Sequence, residues 1–572
     1  MYNKKKPMSQ DKKTADMAEA TRIIKCYEQN DSDRSLWKTQ WNNLTKFGIP
    51  RKDDVYGGSP DGTEQGQELF DTEAIRAGDE LVAALYSSLC NPALIWLFYE
   101  VLNPSIRYLK DVLDWNYKVS IRLLELLEQS NFYVEITEAF LDAVQLGTCV
   151  LRTDSAKEYD EEGEEVEDDT EGESEIFCFE SEPIYTVVID VDSKKRVRKV
   201  IRKFQYTCHQ LCQEYGDLEH IDEKIRKTIM ADENKKWTVF QEVCKRPIKE
   251  RMGEIGAKAM PYKSTHVLQE GSIILKRGGF EEFNFGVGRW SVVNKEKYGR
   301  GPLMKALADV RLANKTKEVW MQSNQLAMAP PQQVSFQGFL APLKLHPWAI
   351  NYKRSPMDKA EKIDMGANPN IGLDMMQELR AIIRTAYMLD KLQLPNIDRM
   401  TTTEVIQRRD ENLRVLGPNA NRIYREILKP TLNRAFGIAY RSGQLPEAPD
   451  AVKQVIEKEG GLRFGFRFAS TVAQAQSALK VENVIRAVAS VQPVAQYQPE
   501  IMDNIDGDKV LTNSFTVFNA DPSLLRDENK VKKIREARQA SLDQQMQMER
   551  TKHDTEAASK MGALDVKANV GK

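Results

Sequence analysis

Histidine is scarce in this sequence, and the few there are do not group. The five residues, at positions 209, 220, 266, 346 and 553, never approach the H-E-x-x-H spacing that puts two zinc ligands on one helix face. A lysine follows a glycine only at the terminal pair Gly571 and Lys572. A nucleotide-cradling G-x-x-x-x-G-K-[ST] loop is therefore absent, and so is the G-x-S-x-G elbow of a serine hydrolase. Long apolar runs are missing too. The most apolar stretch, "ALIWLFYEVL" from Ala93 to Leu102, falls well short of the roughly 20 residues a helix needs to cross a bilayer. The basic start "MYNKKKPMSQDKK" is followed by no apolar segment, so no secretory signal and no membrane partner are expected. Nor does either sign of charge dominate. Lys and Arg number 82 against 85 Asp and Glu, a formal charge of -3, so any contact with nucleic acid must be local or loose.

Cysteine is sparse and unpaired in pattern. The seven residues at 26, 90, 149, 178, 208, 212 and 244 are odd in number and scattered, as expected of reduced thiols in a cytoplasm. Cys208, His209 and Cys212, with His220 beyond, form the one local cluster, but the second ligand pair of a structural zinc site is missing. The nearest paired carboxylates are Asp190 and Asp192 in "DVD". They stand beside a turn, where aspartate is expected for its backbone hydrogen bonds rather than as a metal ligand. No cofactor, metal or catalytic residue is expected from these patterns.

What is present is length, 572 residues with 41% hydrophobic and 29% charged, enough for several modules with substantial cores. Helical spacing dominates from about Thr14 to Gly147, with Leu36, Trp37, Trp41, Leu44 and Phe47 in one segment and "TEAIRAGDELVAALYSSLC" in another. The run "EYDEEGEEVEDDTEGESE", residues 158–175, reads as a solvated hairpin tip or an acidic arm for a partner or cation. Beyond it, "PIYTVVIDVDSKKRVRKVIRKFQYT" alternates about "DSKKR" as a β-hairpin should, a helix is expected around Cys208 to Ala231, and strands near Val239 to Val243 and Ile273 to Phe283. The fold class is α+β, mainly α-helical.

The later part of the chain returns to helix. "KYGRGPLMKALADVRLANK", just after Arg289 and Trp290, turns at Gly299 and Gly301 around Arg300 and starts a long rod at Pro302, where a missing N–H costs nothing. Leu303, Leu307 and Val310 are its expected inner stripe. A proline-rich insert follows, then a second rod from about Leu373 to Leu392 with Met376, Leu379, Ile383 and Tyr387 along one side. Thr401 and Glu404 have capping-box spacing, and a helix from Asn421 to about Ser442 is expected to bend at Pro430. "LRFGFRFAS" reads as a strand, "TVAQAQSALKVENVIRAVASV" as a helix, and the residues past Asp527 as a polar, helix-compatible tail.

The order of these landmarks resembles the portal proteins, or head-to-tail connectors, of short-tailed bacteriophages. The resemblance runs from about Trp37 to Leu525. It is carried by "ELFDTEAIRAGDELVAALYSSLCNPALIWLFYEV", "EQSNFYVEITEAFLDAVQLGTCVL", "FNFGVGRWSVVNKEKYGRGPLMKALADVRLAN", "TTTEVIQRRDENLRVLGPNANRIYREILKPTLNRAFGI" and "GQLPEAP". It implies a ring of twelve copies at one capsid vertex, a channel for duplex DNA during packaging and ejection, and no enzymatic activity. Implied partners are terminase, tail or adaptor proteins, the major capsid protein and a scaffold protein; the implied location is the virion, with the host cytoplasm during assembly. The implied plan places a wing at 1–300, stem helices at 301–329 and 372–390, a clip at 330–371, a tunnel loop at 391–403, wing return helices at 404–468, and a crown with polar tail at 469–572. On that plan Lys305, Lys315, Lys317, Lys391 and Arg399 are candidates for basic collars facing DNA, with Gly299, Arg300, Gly301 and Pro302 as the structural joint. Solvated helix faces and subunit salt bridges remain the plainer alternative for those cations. Two other functions stay open from the residues alone: a DNA-processing nuclease with a cryptic metal site, and another capsid or scaffold component.

Overall fold

The computed structural model describes residues 10–52, 62–64, 66–155, 176–216, 223–328, 332–333, 352, 355, 357, 361–362, 369–392, 417–459, 463–468, 483–484, 486–487, 489–490, 506–518, 524–526 and 528–569. The acidic run 158–175, His220, most of the proline-rich insert, the loop 393–403 with Arg399, the predicted cap at Thr401 and Glu404, and most of the helix expected at 471–491 lie outside the described residues. In chain order the first helices are α1 (Gln10–Asp33), α2 (Ser35–Gly48), α3 (Glu73–Leu89), α4 (Lys110–Gln129) and α5 (Phe132–Gln145). Next come α6 (Cys208–Tyr215), α7 (Glu223–Ala231) and the single turn α8 (Ile248–Arg251). The later helices are α9 (Pro302–Met328), α10 (Pro369–Ala386), α11 (Leu389–Leu392), α12 (Lys429–Arg441), α13 (Asp450–Glu459), α14 (Gly507–Phe518) and α15 (Glu528–Asn569). The strands are β1 (Leu97–Val101), β2 (Thr148–Ser155), β3 (Phe177–Glu182), β4 (Val187–Val191), β5 (Val197–Tyr206) and β6 (Trp237–Lys245). They continue as β7 (Tyr262–Leu268), β8 (Ile273–Phe280), β9 (Phe285–Arg289), β10 (Gln332–Gln333), β11 (Glu361–Lys362) and β12 (Phe464–Phe468). This mixture of helix and sheet is the expected α+β class. Within the stretch expected to be mostly helical, "LFYEV" is a strand, because its buried aromatic and branched residues suit a sheet better than a helix turn.

The chain divides into two compact units. In the larger, β4 to β8 form an antiparallel meander in sequence order, with the predicted hairpin registered Val188 to Ile201 and Ile189 to Val200. Successive side chains of a strand point to opposite faces, and β6 shows the consequence. Val239 packs with Leu211, Ile229, Trp237 and Leu268 under α6 and α7, while Phe240 packs with Ile23, Ile24, Tyr27 and Val188 under α1. The α1 to α2 break is fixed by Arg34. Its buried guanidinium donates to the carbonyls of Ile184, Tyr185 and Val187, so the turn into β4 supplies the acceptors that a buried cation requires.

A second sheet, ordered β3-β2-β9, carries the later helix. Glycine at 288 in β9 allows the seating: a Cβ there would lie 2.2 Å from Ile427 Cδ1, so the helix lies directly on the strand. The expected bend at Pro430 takes the form of a π-turn over Tyr424–Leu428, in which the Lys429 N–H reaches back five residues to the Tyr424 carbonyl. The wider turn accommodates a proline ring that would otherwise strike the carbonyl four residues earlier. α12 is then clamped by Glu282, which accepts from Arg434 at 3.1 Å and from Arg441 at 2.9 Å, with Glu281 accepting from Arg441 at 2.7 Å.

The smaller unit pairs β1 with β12 and covers them with aromatics. Tyr99 stacks on Phe464 at 5.5 Å and meets Trp115 edge-on at 5.4 Å, while the Trp115 indole donates to the Pro446 carbonyl. Arg467 pairs with Glu100 at 2.7 Å. The polar tail expected past Asp527 is α15, steadied at its start by Arg535 on Asp508.

The Glu282 clamp makes a pH prediction. Burial pushes this carboxyl up, but hydrogen bonds from Arg441 and the charges of Arg441 and Arg434 outweigh it, so its pKa is lowered. A lowered carboxylate pKa stabilises the fold above its unfolded value, near 4.3 for glutamate, and the contribution disappears as pH falls through the folded value. Glu282→Gln is expected to reduce stability at neutral pH and to flatten its decline below about pH 4. Urea unfolding across pH checks this, and a variant curve parallel to the parent's refutes it.

Candidate functional site

The segment "KYGRGP" meets the end of α5 and the start of β2 at a backbone-to-backbone contact. Gly147 has φ +82, and a Cβ on it would lie 2.5 Å from both the Gly299 carbonyl oxygen and the Gly301 nitrogen. Side chains at 299 and 301 would in turn strike Gly147 O at 2.2 Å and Val144 O at 2.3 Å. The approach is sealed by hydrogen bonds: Trp290 N–H to Gly147 O, Gly299 N–H to Thr148 Oγ1, and Arg300 N–H to Ser291 O. Around it Trp290 and Tyr298 are buried, and Tyr298 meets Trp41 edge-on at 5.1 Å. Arg300 binds Glu296 bidentately at 2.5 and 2.9 Å and lies over the Trp37 ring at 5.2 Å. The hydrogen bonds from Arg300 hold the Glu296 carboxyl below its ordinary value. Arg300 and Glu296, the charged pair at this turn, are thus engaged with each other. The segment is a tightly packed turn that leads from β9 into α9.

The joint hands over to two long helices packed antiparallel. Leu303, Ala306, Val310 and Ala313 form the buried stripe of α9, so the expected stripe shifts from Leu307, which is half-buried, to two alanines that let the helices come close. The expected α10 stripe is buried throughout: Met376, Leu379, Ile383 and Tyr387. α10 stops at Ala386 rather than running unbroken to Leu392. Met388 takes φ +62 between α10 and the short α11, while Tyr387 and Leu389 on either side stay buried. Tyr387 is anchored by its hydroxyl, which donates to Gln145 Oε1 at 2.6 Å in a fully buried contact.

One loop is gripped by both helices. Asn314 of α9 accepts the N–H groups of Phe70 and Asp71 and donates to the Glu68 carbonyl. From α10, Arg380 binds the buried Asp71 at 2.8 Å, and Arg384 binds Glu73 at 2.9 Å and Glu80 at 2.8 Å. The motif "ELFDTEA" thus has its acids where the two helices cross it. Behind the joint, the buried Arg289 forms a fork on Glu426 at 2.7 and 2.9 Å and donates to the carbonyl of Lys195, tying β9 to the π-turn. None of these partnerships could be paired from sequence, since they join residues between 94 and 311 positions apart.

The candidate DNA-facing cations fall in different settings. Lys305 is exposed on α9. Lys315 is exposed and pairs with Glu318 at 2.9 Å, while Lys317 is turned toward buried Asp71 at 3.8 Å. Lys391 is exposed on α11. The exposed residues Lys305, Ala308, Leu312, Lys315, Val319 and Leu326 make one outward stripe of α9, opposite the buried one. Asp192 proves to be a turn residue: its carboxylate accepts the N–H groups of Lys194 and Arg196 and both arginines at 196 and 198. The Arg196 backbone hydrogen bond and those arginines draw its pKa down to about 2, and Asp190 faces Lys297 at 3.5 Å. Cys208 is buried in the core under α6.

A family model described as bacteriophage head to tail connecting protein matches residues 20–525. The chain therefore belongs to the family of bacteriophage head-to-tail connecting proteins, and its role is that of a structural connector, not an enzyme. Among its relatives, the portal protein of Salmonella phage epsilon15 is 24% identical over 543 residues, covering 93% of this chain and 93% of that protein. The probable portal protein of Bordetella phage BPP-1 is 23% identical over 564 residues, covering 96% of this chain and 97% of that one. The resemblance to short-tailed phage portals holds over nearly the whole length, and phage portal proteins are components of the virion.

The Arg289–Glu426 fork gives a stability prediction. Glu426→Ala leaves a buried guanidinium without its counter-charge, which costs about 3–5 kcal/mol. A stability change of less than about 1 kcal/mol on urea unfolding would show that the fork does not hold β9 to the π-turn.

Proposed function

We propose that this connector works as a closed ring of twelve copies at one capsid vertex. In this reading duplex DNA passes through the axial channel, and the ring docks terminase during packaging and tail or adaptor proteins afterwards. The ring would also contact the major capsid protein and, during assembly, a scaffold protein. α9 and α10 would be the stem; residues 1–300 and 404–468 the wing; 330–371 the clip; 391–403 the tunnel loop; and 469–572 the crown with its polar tail.

The observation that carries the proposal is the outer surface of the helix pair. α9 presents Leu312, Val319 and Leu326, each at least 40% exposed, and α10 presents Leu373, Met375 and Ile382 likewise. Apolar residues repeated on the exposed sides of two packed helices suit burial against neighbouring copies, and head-to-tail contacts between copies close into a ring when the rotation permits. Lys305 and Lys315 lie on the same α9 stripe. Twelvefold repetition turns each into a collar, while the chain's charge of -3 keeps its overall hold on phosphates weak. A conduit for DNA of any sequence needs that combination.

Two measurements check this. Mass photometry should show a closed multiple of the 65.4 kDa chain, and a persistent monomer under assembly buffers would contradict it. In the ring, Lys305→Glu with Lys315→Glu should weaken duplex binding at low salt, lowering the slope of log affinity against log salt by roughly 0.9 for each phosphate no longer neutralised. An unchanged slope would remove these lysines from the channel.

A further inference from the structure

Two neighbouring loops near the joint are rich in cations, and three of their lysines form no ion pair among the described residues. The tip of the β4–β5 hairpin bears Lys194, Lys195 and Arg196, and the loop between β9 and α9 bears Lys295. The tips are tied together by Lys195 Nζ donating to Asn294 Oδ1 at 2.8 Å, and Arg289 holds the Lys195 carbonyl from beneath. Both lysines adopt the left-handed backbone conformation, Lys195 at φ 60 and Lys295 at φ 75. That conformation favours glycine or asparagine and costs a lysine on the order of 1 kcal/mol.

The nearby acids are already taken. Asp192 is bound by Arg196 and Arg198, Asp190 by Lys297, and Glu296 by Arg300. Among the described residues, Lys194, Lys195 and Lys295 have no ion pair, so the joined tips form a fixed patch of uncompensated positive charge.

The geometry points to an occupant within the same protein: the acidic run 158–175 of an adjacent copy. The run holds twelve acidic residues and no basic one, the strongest charge complement to the tips anywhere in the sequence. Within one copy it departs from the far end of the sheet. Thr148 at the start of β2 pairs with Arg289, beside the tips, and β2 then runs to Ser155, seven residues or about 23 Å away along a strand. The described end of β2 therefore leads away from the tips of the same copy. The inference rests on the ring proposed above and assigns the run a role as a clasp between copies.

Rings assembled from equal parts unlabelled and isotope-labelled chains, treated with a carbodiimide that joins lysine to carboxylate directly, provide the test. The expected result is cross-linked peptides joining Lys194, Lys195 or Lys295 to residues 158–175, half of the inter-copy pairs carrying mixed isotopes. Same-isotope pairs alone would mean that the run folds back on its own tips, and intact rings without these cross-links would equally overturn the clasp while leaving the ring standing. Absence of any ring would remove both proposals. Lys194→Glu and Lys295→Glu together alter exposed side chains and leave the Lys195–Asn294 hydrogen bond in place, so the fold should persist while the rings dissociate at lower salt. Converting Asp160, Glu161 and Glu162 to lysine in the same chain should restore salt resistance, and failure of both the loss and the rescue would contradict the clasp.

Discussion

The structure turns on a contact between backbones with no side chain in it. Gly147 and the Gly299–Gly301 segment approach so closely that a single added carbon at any of the three glycines would overlap a carbonyl oxygen or an amide. Because α5 and β2 meet at Gly147, and β9 and α9 are linked through 290–301, the contact sets the direction in which the long helix leaves the sheet. Long-range interactions of that helix follow from this start: Leu303 against Gly48 at the end of α2, Asn314 on the 68–71 backbone, and α10 folded back along it to place Tyr387 on Gln145.

Charge then fixes what the backbone has positioned. Arg289 on Glu426, Arg380 on Asp71 and the Glu282 clamp each join elements far apart in sequence, and each has at least one partner removed from water. Such pairs add little net stability compared with apolar contacts, but breaking one is costly, so they select a single arrangement of the helices on the sheet. A head-to-tail connector is served by one arrangement held firmly. It does not need a reactive centre, and of the aspartates that most resembled one, Asp192 serves a hairpin turn and Asp190 faces Lys297.

Much of this was legible in the sequence because it was local. Pro302 after Gly299 and Gly301 located the helix start to the residue, and the 3.6-residue spacing of Met376, Leu379, Ile383 and Tyr387 marked the buried stripe of α10. The hairpin about "DSKKR" followed from alternation. What was not legible depended on partners distant in the chain. Gln145 reads as one polar residue at a helix end, and only the fold shows that it receives Tyr387. The break at Met388 carries no glycine or proline to signal it; buried Tyr387 and Leu389 on each side impose it. The π-turn before Pro430 could be expected as a bend but not as a five-residue hydrogen bond, and the shift from Leu307 to Ala306 reflects how near α10 lies.

The central proposal is that α9 and α10 line a common axis in a closed ring, with Lys305 and Lys315 turned toward the lumen. Electron-microscopy averages of the purified assembly viewed down its axis address it most directly. The account predicts a closed ring with these paired helices nearest the lumen; helices at the outer rim, or open and variable assemblies, would contradict it.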